Sequence, residues 1–346
     1  MDPGDHLETF KRLIVSLPAL TSLTFDGDFY ITWDFLAACL THPRIQSLAF
    51  EIQTRFSNAR PPSSTNDTLV SLQSFSCKRK FWREVSHLMP RNRHSKPGNL
   101  NEVVSREATA LSPLVLGMHE TVRQLTLSME SAPIASMTDL SWPELRDLSI
   151  EGRYLTQSQA ESLPSLLSAL PQLSSLSILI CRHRDLGRAP ILGRQPSPAT
   201  CLSGLRALTV AFPDPQDDIF SIDTIDLRHL SLRDCPRYYH RLNKRAPYCQ
   251  YWDTPILSSS ECLSILQRID APRLTTLELV YLVETNDGDD DLLEYVASSY
   301  PNLSHLEVHR YRANRADKVD CVSTVQRLTC SQMLTIPEFR PVSLIC

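Results

Sequence analysis

Apolar residues recur along this chain in one short phrase, P-x-L-x-x-L-x-L, with its apolar triplet at Leu20, Leu23 and Phe25 in the first copy and at Leu303, Leu306 and Val308 in a late one. Other triplets begin at Ile45, Leu72, Val122, Leu145, Leu173, Leu205, Leu227 and Leu274, and a weaker one begins at Val325. The second and third members are two residues apart, so in a strand both point to one face, which is the predicted core. The residue between them points the other way, onto an open concave surface. Between triplets the spacing turns helical. Trp33, Leu36, Ala37 and Leu40 follow it, as do Leu163, Leu166, Leu167 and Leu170, and Cys262, Ile265, Leu266 and Ile269. Asp5 and Glu8 have capping-box spacing before the first triplet. Pro18, Pro43, Pro143, Pro171, Pro272 and Pro301 each stand two residues before a triplet, where proline ends a helix and biases its predecessor to extended backbone.

The triplets advance by 25, 27, 50, 23, 28, 32, 22, 47, 29 and 22 residues. A strand and helix repeated at that period cannot bury its apolar face alone, so neighbours must stack into one core. The steps of 50 and 47 each hold a hidden repeat or an inserted loop. The expected architecture is one α/β array over residues 1–346, with a parallel sheet on its concave face and irregular helices outside. Within it we expect a capping helix over 5–17, about 11–13 irregular repeats over 18–330, inserted loops at 89–100 and 234–257, and a tail or cap over 331–346.

These residues resemble the leucine-rich repeat proteins. The P-x-L-x-x-L-x-L form, the uneven helical connectors and the segment Trp142 to Ile150 look like the repeat region of fungal F-box/LRR proteins. The resemblance spans roughly residues 5 to 330 and implies an LRR solenoid. It also implies a substrate-reading role in a ubiquitin ligase. An F-box is expected to lie outside this chain if it exists, because the first helix runs straight into the first repeat. Docking on a Skp1-type adaptor depends on that segment. Regular members place Asn or Cys eight residues after the first leucine. Here those positions hold Asp28, Gln53, Lys80, Glu130, Arg153, Cys181, Pro213, Cys235, Leu282 and Tyr311. Only Cys181 and Cys235 fit, so each turn is expected to satisfy its polar backbone differently.

Composition narrows the function classes. Apolar residues make up 42% and charged residues 21%, and the formal net charge is -4, so no global field favours nucleic acid or an anionic membrane. Apolar runs fall far short of the roughly 20 residues that span a bilayer. The start MDPGDHLETF lacks the basic and apolar regions of a secretory signal. The ten cysteines follow no motif, and Cys77 and Cys330 take third-triplet positions as small hydrophobes. An intracellular location, in cytoplasm or nucleus, is expected.

Candidate contact residues follow from the concave positions and from the second insert. On the concave face these are Asp26, Glu51, Lys78, Glu151, Arg233, Glu278, Glu307 and His309, among mostly small Ser, Thr and Ala neighbours. In the insert they are Arg237, Tyr238, Tyr239, Arg241, Arg245, Tyr248 and the adjoining Trp252. Arginine with tyrosine is the composition of protein hot spots and of single-strand nucleic-acid platforms. A plain solvated face and a plain insertion account for the same residues. A first insert, Lys78 to Lys96, is basic.

Other signals are discounted. The run from Asp287 to Asp291 lacks the distal glutamate of a calcium loop and is expected to cap a helix over 292–299. Cys235, His240 and Cys249 lack tight zinc-pair spacing. No glycine-rich phosphate loop or nucleophile elbow occurs. The expectation is a non-enzymatic protein-recognition module with no metal or cofactor. A scaffold or inhibitor without a ubiquitin link stands as the alternative, and nucleic-acid binding through the basic inserts ranks last.

Overall fold

The computed structural model describes residues 3–26, 30–51, 55–56, 72–78, 100–153, 157–183, 187–188, 190–193, 202–238, 252–253, 255–284 and 289–312. They fall into two compact units, residues 1–172 and 173–346. Unit 1 holds β1 (Ser22–Phe25), β2 (Tyr30–Ile31), β3 (Ser47–Phe50), β4 (Arg55–Phe56), β5 (Ser74–Cys77), β6 (Gln124–Ser128) and β7 (Asp147–Arg153). Its helices are α1 (Pro3–Val15), α2 (Trp33–Leu40), α3 (Leu100–Gly117), α4 (Ile134–Met137) and α5 (Gln157–Ser168). The strands β1, β3, β5, β6 and β7 pair in that order, all parallel, while β2 and β4 pair with each other.

Unit 2 repeats the plan. It holds β8 (Ser175–His183), β9 (Ala207–Ala211), β10 (His229–Arg233), β11 (Trp252–Asp253), β12 (Leu257–Ser258), β13 (Thr276–Val283) and β14 (His305–Arg312). Its helices are α6 (Ser259–Arg268) and α7 (Asp290–Ser299). The parallel order is β8, β9, β10, β13 and β14; β12 also pairs with β13, and β11 pairs antiparallel with β8. Parallel strands carrying the repeated triplets and joined by helical connectors make this the α/β leucine-rich repeat class that the sequence pattern leads one to expect.

One backbone contact sets the register. In unit 1 the Gln46 and Ser47 N–H groups both donate to the Thr21 carbonyl, at 2.8 and 3.1 Å. The next repeat does the same with Gln73 and Ser74 onto Gln46, and the pattern continues through Arg123 and Gln124 onto Gln73, then Arg146 and Asp147 onto Arg123. Unit 2 carries the same double acceptor at Ser174, Arg206, Arg228 and Thr275. Leucine therefore pairs with leucine from strand to strand, as in Leu125 with Leu148 and Leu208 with Leu230. All four of these leucines are buried. In the first two repeats the third triplet positions are aromatic, and Phe25 stacks on Phe50 with centroids 5.4 Å apart.

The same pairing settles what the two long steps contain. Strand β5 pairs directly with β6, and β10 directly with β13, so neither step adds a strand between them. Each is an insertion. The first contributes α3, and the second contributes β11, β12 and α6.

Helix starts differ in part from expectation. The Thr32 hydroxyl caps α2 by accepting from Phe35 N–H at 3.3 Å, and Ser258 and Glu261 form a capping box on α6. Helix α1 begins at Pro3, so Asp5 lies inside it and is not its cap; proline at a first helical position lacks only an N–H that would have had no partner. The acidic run departs further. Helix α7 begins at Asp290, and Asp289 makes no side-chain cap bond. Its buried carboxylate instead accepts from Tyr281 Oη at 3.0 Å and from Arg310 Nε at 2.6 Å, which ties β13 to β14. Asp290 and Asp291 supply the acids that favour a helix N-terminus.

Two of the positions that lack the expected Asn or Cys, Glu130 and Arg153, are buried against each other in unit 1. Arg153 Nε lies 3.3 Å from Glu130 Oε1, and Glu107, bonded by Ser131 Oγ at 2.7 Å, is buried beside them. Glu130 thus has one guanidinium and a second carboxyl for neighbours. Burial pushes the Glu130 carboxyl up to about 8, against Arg153 and nearby backbone N–H groups, and the neighbouring Glu107 adds to the rise. The carboxyl sits where a side chain at residue 152 would be: a Cβ on Gly152 would overlap Glu130 Oε2, and Gly152 has φ +123°.

Gly152→Ala is therefore expected to destabilise unit 1 by roughly 1–3 kcal/mol, from the backbone conformation and the displaced carboxyl together. A lowered urea midpoint checks it. A second expectation concerns pH. The folded-state pKa of Glu130 is raised, so its contribution is full below the ordinary value of 4.5 and is lost as pH rises towards about 8. Glu130→Gln removes this slope, so the variant should gain on the parent in urea midpoint between pH 5 and pH 9.

Candidate functional site

Strand register places one side-chain row of each unit on the face opposite its core. In unit 1 the central row runs Thr24, Ala49, Ser76, Thr126 and Ser149. The predicted residues Asp26, Glu51 and Lys78 follow their strands by one residue, and Glu151 pairs with Ser128. Asp26 is exposed, while Glu51, Lys78 and Glu151 are half-buried. This row carries charge of both signs on a face of small side chains.

In unit 2 the central row runs Ser177, Thr209, Ser231, Glu278 and Glu307. It passes from hydroxyls to acids. The adjacent row holds Ala211 and Arg233 on β9 and β10, and Val280 and His309 on β13 and β14. Behind these strands Leu230, Leu277 and Leu279 are buried in the core and hold the backbone in place.

The acids are already engaged. Ser231 Oγ donates to Glu278 Oε2 at 2.5 Å, and the Arg237 guanidinium donates to Glu278 Oε1. Arg237 also reaches the buried Asp234 carboxylate at 3.3 Å, and Asp234 accepts the Tyr238 backbone N–H. Asp234 thereby fixes the turn that swings Arg237 back over the sheet. Burial alone would raise the Glu278 carboxyl; the Ser231 hydroxyl and Arg237 together outweigh it, so the carboxyl titrates below its ordinary range. Glu307 Oε1 and His309 Nε2 lie 2.6 Å apart. His229, on the same face, titrates below the ordinary imidazole range through burial and nearby His305, with Glu278 opposing.

Glu278, Glu307 and His309 bring one ligand atom each within 4.8 Å of one another, a donor set of the kind divalent metals use. Both Glu278 oxygens already hold donors, and one donor is a cation. Among the described residues this group is thus an ion-pair network with Arg237 in the cation position.

The predicted residues Arg233, Arg237, Glu278, Glu307 and His309 therefore come together in unit 2. Tyr238 packs edge-on against Tyr311, centroids 5.0 Å apart. Trp252 lies in β11, whose backbone pairs with Arg182 and His183. Tyr239, Arg241, Arg245 and Tyr248 lie outside the described residues, as do most of the basic first insert and both His240 and Cys249. Ser231, Asp234, His229 and Tyr311 belong to the cluster without having been singled out. Ser231 and Asp234 sit on or just after the strand that carries Arg233, and only the pairing of β10 with β13 reveals their role.

No described helix is long and apolar enough to cross a membrane. No family model and no curated protein matches the sequence. Among solved structures it is similar to the leucine-rich repeat-containing protein LegL7 from Legionella pneumophila, with a TM-score of 0.41 and 13% identity over 97% of this chain and 98% of that one.

Proposed function

We propose that this chain is a non-enzymatic protein-recognition module, and that the face of unit 2 opposite its core is a contact surface. The observation that carries this is the in-register pair Glu278 and Glu307, set on a face that also carries Ser177, Thr209, Ala211 and Ser231 beside Arg233 and His309. Small side chains let a partner backbone approach the sheet. The charges give orientation and speed of encounter more than bulk affinity. Acids at the β13–β14 end of the row disfavour phosphate, which supports a protein partner over nucleic acid.

The finer reading is substrate recognition for an F-box-type ubiquitin ligase, and it rests on the sequence resemblance. A scaffold or inhibitor would use the same surface with no ubiquitin link. The full-length gene product should retain a Skp1-type adaptor in affinity capture if the ligase reading holds, and failure to do so ends that reading while leaving the surface in place.

For the surface itself, partners captured by the parent chain should be depleted on the order of tenfold by Glu278→Gln combined with Glu307→Gln, a loss typical of removing interfacial charges. An unchanged circular dichroism melt shows that the variant is folded. Equal capture by both proteins would place recognition elsewhere.

A further inference from the structure

We propose that Cys181 and Cys235 are a reversible disulfide site that anchors the start of the segment carrying Arg237 onto β8. The two sulfurs lie 3.6 Å apart, although 54 residues separate them in the chain. Neither is in a disulfide. The Cys235 thiol also faces the Leu179 carbonyl at 3.5 Å, so its side chain is directed at β8.

The fold explains why residues so distant meet. Strand β8 continues to His183, but its pairing with β9 runs only from Ser175 to Ile178, and β9 ends at Ala211. There Phe212, with φ 44°, turns the chain away. The end of β8 thus extends past β9. Cys235 fills the space by reaching over from the turn after β10. The chain then returns to the same place, because Trp252 and Asp253 pair with His183 and Arg182. Both ends of the 236–251 segment are therefore docked at one strand end, and a disulfide at Cys235 would close its base covalently.

Access gives the order of events. Cys181 is fully buried, whereas Cys235 is half-buried and meets solvent first. With a peroxide as oxidant, the Cys235 thiolate attacks the O–O bond and becomes a sulfenic acid, releasing water. The Cys181 sulfur then attacks Cys235 sulfur, expelling a second water and forming the S–S bond. Two thiols are oxidised by two electrons and one peroxide is reduced to two waters. A closure from 3.6 Å to a bond of about 2.05 Å is needed.

The consequence rests on the reading of the unit 2 face as a contact surface. Arg237 lies two residues after Cys235, and its guanidinium is the cation on Glu278. Locking Cys235 to β8 adds a covalent tie to the ion pairs that Arg237 makes with Asp234 and Glu278.

The full chain, treated with a few equivalents of hydrogen peroxide, alkylated and digested without reductant, supplies the test. The expected product is a linked pair of peptides containing Cys181 and Cys235, absent in Cys235→Ser and lost on adding dithiothreitol. Cys181→Ala should leave Cys235 trappable by dimedone as a sulfenic acid. Full alkylation of Cys181 after Cys235 has oxidised, or a link from Cys235 to another cysteine, overturns the proposal. Neither result bears on the charge variants that test the contact surface.

Discussion

In eight of the described repeats one carbonyl accepts two N–H groups from the next, and this double acceptor is what the rest of the structure depends on. It occurs at Thr21, Gln46, Gln73 and Arg123 in unit 1 and at Ser174, Arg206, Arg228 and Thr275 in unit 2. The contact is made by backbone, so the side chains at these positions are free to vary, and they range from threonine to arginine. It locks the phase of each strand against the one before it. Because side chains alternate with a period of two, a slip of one residue would turn every core leucine outward. The same lock therefore builds the core and composes the opposite face.

Freed from setting register, the turns beyond the strands are solved locally. The leucine-rich repeat pattern expects Asn or Cys at these positions, and this chain uses several other residues. Glu130 and Arg153 form a buried pair that needs Gly152 to make room for a carboxyl. Cys181 and Cys235 meet sulfur to sulfur. Leu282 pairs in register with Tyr311, whose ring meets Tyr238. Each solution suits one pair of repeats only. Buried polar groups without good partners are costly, so irregular side-chain pairs at these turns come with irregular loops and insertions.

How far the sequence can be read follows from the range of the interactions involved. The triplets and the helices α2, α5 and α6 were legible because strand and helix periodicity are local signals. The row of small and acidic residues was legible once the triplets were aligned. The link from Arg237 to Glu278 was not, because it joins residues 41 apart in the chain and depends on β10 pairing directly with β13 across an insertion. Asp289 was misread for a similar reason. Its neighbours suggest a helix cap, but the partners that claim it, Tyr281 and Arg310, come from two other elements. Whether the long steps held repeats or inserts could be decided only by seeing which strands touch.

Register as the organising constraint has a direct test in two neighbouring residues of β6. Leu125 is buried and pairs with Leu148, whereas Thr126 is half-buried and faces Ser76 and Ser149 on the opposite side. Urea unfolding of Leu125→Asp and Thr126→Asp measures both. The account predicts that Leu125→Asp abolishes the cooperative transition of unit 1 and that Thr126→Asp shifts it by no more than about 1 kcal/mol. Equal sensitivity at the two positions, or greater sensitivity at Thr126, would contradict it.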